Sequence, residues 1–77
     1  MGKPNFRIDQ IESIVKGFLK QRYPTIKSLE IVRNEFIQRL KEWWILGYFN
    51  FNRSYRIFTL HISDDDGEIT HYEIKIS

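Results

Sequence analysis

The sequence predicts an α+β domain, with one N-terminal amphipathic helix packed on an antiparallel meander sheet of three to four strands. Three observations lead there. Apolar residues recur at a period of 3.6 near the N-terminus, they alternate at a period of 2 through the last third, and an acidic D-D-D-G-E stretch separates two alternating segments.

The helix comes first. In IDQIESIVKGFLKQRYP the residues Ile8, Ile11, Ile14, Val15, Phe18 and Leu19 fall on one stripe, while Glu12, Lys16, Lys20 and Gln21 lie off it. Asp9 and Glu12 have capping-box spacing, and Pro24 cannot continue a helix, so the helix is expected over residues 9–22. Gly17 falls on the polar side, where it lowers helix propensity without leaving a hole in the core.

Residues 25–42 fit two patterns. Ile26, Leu29, Ile31 and Val32 suit a strand, whereas Leu29, Val32, Phe36, Leu40 and Trp43 or Trp44 match a helical stripe, which periodicity slightly favours. The next stretch, WWILGYFNF, is richest in rings. As a strand it sets Trp43, Ile45, Gly47, Phe49 and Phe51 on one side, and Glu42, Trp44, Leu46, Tyr48 and Asn50 on the other. The first set is purely apolar and is expected to face the helix, with Gly47 permitting close backbone approach and Asn52-Arg53 turning the chain. Trp44, Leu46 and Tyr48 then share the outer face with Tyr55 and Ile57, and these five form the candidate interaction surface. A loop one residue longer would exchange the two sets, yet either choice leaves large apolar side chains outside.

In SYRIFTLHIS, Arg56, Phe58, Leu60 and Ile62 alternate with Tyr55, Ile57, Thr59 and His61; in ITHYEIKI, Tyr72, Ile74 and Ile76 alternate with His71, Glu73 and Lys75. Keeping both apolar sets on one face requires a three-residue loop, Asp65-Asp66-Gly67, with Gly67 left-handed, and pairs Ile62 with Thr70, Leu60 with Tyr72 and Phe58 with Ile74. His61 then lies opposite His71. Two imidazoles, with Glu73 beside them, could ligate a metal or titrate near pH 6, but a cross-strand pair on a mixed polar face is the simpler reading, and no metal is expected. An EF-hand alignment on Gly67 would use Asp64, Asp66 and Glu73 yet put Ile62 at the first ligand position, so a solvated hairpin turn is the better account, with all three aspartates at its tip.

The segments IESIVKGFLKQR, IKSLEIV, WWILGYF and YRIFTLHISDDDGEITHYEI resemble the PepSY and cystatin-like group of small domains in their order, their Trp-led strand and their D-x-G-E-I turn. That resemblance implies that residues 26–33 form the first strand of a four-stranded sheet wrapped on the helix. It also implies a non-catalytic binding or inhibitory module. NEFIQRLKE, residues 34–42, is longer than the tight turn usual in such domains and leaves room for a helical turn or a second helix.

Composition narrows the function classes. A chain of 77 residues, 42% hydrophobic and 29% charged, is a single globular domain, 1–77, too small for an extensive core. It has no cysteine, so disulfides and thiolate metal sites are excluded. No apolar run approaches the roughly 20 residues that span a bilayer, and no signal peptide is legible, so a cytoplasmic protein without membrane association is expected. Residues 1–41 carry nine Lys or Arg against four acids (+5) and residues 42–77 three against six (−3), a split that a solvated helix face explains as well as a nucleic-acid footprint does. Ser54 and Ser63 lie in no nucleophile elbow and no carboxylates converge, so neither an enzyme nor a cofactor is expected. The expectation is a protein-interaction module that meets a second copy or another protein. The alternative is a nucleic-acid-binding domain that stacks bases on Trp44, Tyr48 and Tyr55 and meets phosphates with Lys and Arg.

Overall fold

The computed structural model describes residues 3–76, as α1 (Ile8–Arg22), β1 (Lys27–Ile37), β2 (Glu42–Phe51), β3 (Ser54–Ser63) and β4 (Ile69–Ile76). The strands form one antiparallel sheet in the order β1-β2-β3-β4. The helix covers one face of it. Ile11, Val15 and Leu19 on α1 meet Trp43, Ile45, Phe49, Phe58, Leu60 and Ile62 from the two central strands, and all nine side chains are buried. Burial of each large side chain contributes about 2 kcal/mol.

The helix starts one residue before the expected position, and its cap differs. Gln10, not Glu12, reaches back to accept the Arg7 backbone N–H at 2.8 Å, and Asp9 takes the Arg7 guanidinium at 3.1 Å. Asp9 therefore sits inside the first turn, where a carboxylate favours the positive end of the helix dipole. At the other end Tyr23 leaves the helix with its N–H still on Leu19 O at 2.7 Å, and its ring packs on Phe49 and Phe51. Arg56, on the helix-facing side of β3, lays its guanidinium over the Tyr23 and Phe51 rings.

Residues 27–37 are a strand, against the helical reading that periodicity favoured. The strand also runs past residue 33, so that 34–37 belong to it and only Gln38–Lys41 turn the chain, closing on Leu40 N–H to Ile37 O and Lys41 N–H to Gln38 O. Two irregularities, between Lys27 and Glu30 and between Ile31 and Arg33, interrupt the pairing with β2. Each inserts a residue and reverses the facing of those beyond it.

The central hairpin follows the expected register. Phe51 pairs with Ser54 across Asn52 and Arg53, which both take left-handed angles (φ 52° and 65°), as a two-residue type I′ turn requires. At Gly47 a Cβ would overlap the Glu30 carbonyl oxygen and stand 2.7 Å from Phe58 Cζ, so the residue lets β1 and the Phe58 ring close over β2.

The β3–β4 hairpin departs from the expected register at its tip. Leu60 pairs with Tyr72, Phe58 with Ile74 and His61 with His71 as expected, but Ile62 pairs with Ile69, not Thr70. Thr70 is the extra residue, its Oγ1 within 3.2 Å of His61 O and 3.3 Å of Glu42 Oε2. The loop is Asp64–Gly67, closed by Ser63 N–H to Glu68 O at 2.8 Å and Gly67 N–H to Ser63 O at 2.9 Å, with Gly67 left-handed at φ 76°. Asp64 is not at the tip. It is 3% exposed and accepts the backbone N–H groups of Asn5 and Phe6 and the Trp43 indole.

Candidate interaction surface

The face of the sheet turned away from the helix is built from rows of side chains that strict pairing brings into line. One row runs Glu35, Trp44, His61, His71; the next runs Arg33, Leu46, Thr59, Glu73; the third runs Glu30, Tyr48, Ile57, Lys75. Asn50 and Tyr55 continue the two middle strands. The centre of this face is largely apolar, and charged residues line its edges, Glu30, Arg33 and Glu35 on β1 and Glu73 and Lys75 on β4.

The five sequence-derived residues all lie in that centre. Leu46 is 37% exposed, Ile57 45% and Tyr55 51%, while Trp44 and Tyr48 are half-buried by their neighbours. Tyr48 and Tyr55 meet edge to face with centroids 5.6 Å apart. Trp44 stacks flat on His61 at 4.4 Å and 8°, and its indole N–H donates to Glu42 Oε1 at 3.1 Å, so its ring is fixed before anything docks. Beside this stack a groove of about 200 Å³ is lined by Arg33, Glu35, Trp44, Leu46, Thr59 and His61.

His61 and His71 do come together, with ring centroids 4.9 Å apart. Burial, and then the nearby His71, push the His61 pKa below 6.5, with Glu42 acting in the opposite sense. Among the described residues no group of three or more His, Cys, Asp and Glu side chains could hold a metal ion.

Sequence reasoning missed Asp64 as a structural group. Burial opposes its ionisation, but N–H bonds from Asn5, Trp43 and Phe6 and the charge of Lys41 outweigh that and hold its pKa below 3.8. A signal was present: Asp64 continues the alternation Phe58, Leu60, Ile62 and so shares their inward parity.

The basic residues of the helix sit elsewhere. Lys16 and Lys20 are exposed on α1, on the opposite side of the sheet from Trp44, Tyr48 and Tyr55, and Arg22 lies over the Phe18 and Tyr72 rings. No helix among the described residues is long and apolar enough to cross a membrane. Comparison with protein-family models, curated proteins and solved structures finds no match to this chain.

Proposed function

We propose that this chain is a small, non-catalytic protein-interaction module that works through the outer face of its sheet. The observation that carries this reading is the contiguous strip of Trp44, Leu46, Tyr48, Tyr55 and Ile57 on the face the helix leaves uncovered. An ordered aromatic centre with a charged rim is the anatomy of a protein interface, and Trp and Tyr are its usual anchors. The helix-on-meander order, which resembles PepSY and cystatin-like domains, also favours binding over catalysis.

The nucleic-acid alternative draws less support, because its stacking rings and the helix lysines lie on opposite sides of the sheet. The test is the double substitution Trp44→Ser/Tyr48→Ser, followed by circular dichroism and by solution mass from light scattering. Loss of association with the fold retained supports the reading. Where the parent associates, a double variant that associates equally well overturns it, and a salt-dependent shift of a labelled oligonucleotide would favour the alternative.

A further inference from the structure

Two of the three rows of the outer face carry opposite charges at their two ends. Arg33 on β1 shares its row with Glu73 on β4. Glu30, opposite Tyr48, and Lys75, opposite Ile57, make a second such pair in the register. Arg33 and Glu35 enter no ion pair among the described residues, and Glu73 meets only the exposed Lys75, at 3.6 Å.

Two sheets that pack face to face through a two-fold axis can be arranged in two simple ways. An axis running across the strands would set Arg33 over Arg33 and Glu73 over Glu73. An axis running along the strands sets β1 of one copy over β4 of the other. Arg33 then faces Glu73 and Glu30 faces Lys75, while Leu46 falls over Thr59 and Tyr48 over Ile57. Only the second arrangement is complementary in both charge and apolar character.

We propose that the partner of this face is a second copy of the chain, docked about a two-fold axis parallel to the strands. The proposal rests on the interaction reading above and adds its occupant and geometry. Four strands about 4.8 Å apart and some eight residues long give a footprint of roughly 500 Å² per partner, below the ~800 Å² of a standard interface. The dimer is therefore weak and concentration-dependent, dissociating as the protein is diluted through the micromolar range.

The experiment is sedimentation velocity on the full chain over a wide concentration range, for the parent, Arg33→Glu, Glu73→Arg and the double exchange. Both residues are exposed, so the fold should tolerate the changes, which circular dichroism checks. Each single reversal is expected to weaken the dimer about tenfold, and the double exchange to restore most of it. A double exchange no tighter than the singles overturns the geometry. A parent that stays monomeric at the highest concentration overturns the second copy as occupant and leaves the face available to a different protein. A dimer untouched by Trp44→Ser/Tyr48→Ser instead overturns the interaction reading of this face.

Discussion

The indole N–H of Trp43 donates to Oδ1 of Asp64 at 2.9 Å, and the same carboxylate holds the backbone N–H groups of Asn5 and Phe6 at 2.7 and 3.1 Å. One buried side chain thus fastens β2, the β3–β4 loop and the segment that leads into the helix. Asn5 reinforces the tie by donating its side-chain amide to the Asp64 carbonyl at 3.0 Å.

Replacing Asp64 by Ala strands three donors. The expected loss is about 3 kcal/mol, which for a domain of this size lowers Tm by roughly 15 °C. Asp64→Asn, which keeps one acceptor oxygen, should lose less. Because the folded pKa is depressed, this stabilisation is complete above the ordinary carboxylate value of 3.8 and disappears as pH falls through the lower folded value. Thermal scans from about pH 5 to about pH 2 should show an acid-side decline that Asp64→Asn reduces.

His61 titrates in a separate window. Its folded pKa lies below 6.5, so the unfolded chain binds more protons just below that value, and stability falls as pH drops from 6.5 toward the folded value. Urea midpoints should be lower at about pH 5.5 than at about pH 7.5, and His61→Gln should flatten the difference. A parent with equal midpoints at the two values would contradict the burial of this imidazole.

Gly47→Ala should destabilise by about 3 kcal/mol, since the added methyl meets backbone as well as the Phe58 ring and the backbone cannot move aside cheaply. Chemical denaturation measures this directly. A loss below about 0.5 kcal/mol would show that β1 can shift away from β2 at the irregularity beside it.

Arg53→Gly should stabilise by about 1 kcal/mol, because Arg53 holds φ 65° in the Asn52-Arg53 turn, a conformation glycine adopts without its steric cost. The gain should appear as a higher Tm with an unchanged solution mass.

The helix and the central hairpin were legible because each keeps one period from end to end. Ile11, Val15 and Leu19 hold one stripe, and Trp43, Ile45, Gly47 and Phe49 hold one parity, so the division into two faces was readable, while which of Trp43 and Trp44 turns inward hung on the length of the Asn52-Arg53 turn. β1 was not legible, and its irregularities explain why. Ile31 faces the helix across from Gly47, but the extra residue Val32 is exposed, and the next inward positions are Asn34 and Phe36 instead of Arg33 and Glu35. The phase shift leaves Leu29, Val32 and Phe36 at spacings that imitate a helix. Asn34 adds to the disguise, since both its amide atoms are shielded and no group among the described residues bonds them, an arrangement no polarity pattern anticipates. At the far hairpin a single inserted residue, Thr70, moved the pairing of Ile62 by one place, while Gly67 still marked the left-handed position. That large rings lie outside was readable, but the charges at the ends of their rows depend on the β1 register and so on those same irregularities.

The strand order β1-β2-β3-β4 gives each strand a partner that is its neighbour in the chain, so the sheet assembles from local hairpins. The helix is the exception: its core partners lie on β2 and β3, and the Asn5–Asp64 tie spans 59 residues. On the ribosome α1 is made before β2 and β3, and the surface it packs on is complete only once β3 has been synthesised, roughly a few seconds later at about 5–20 residues per second. For that interval the apolar stripe of Ile11, Val15 and Leu19 is at best partly covered, which makes the helix the element with most to gain from a chaperone.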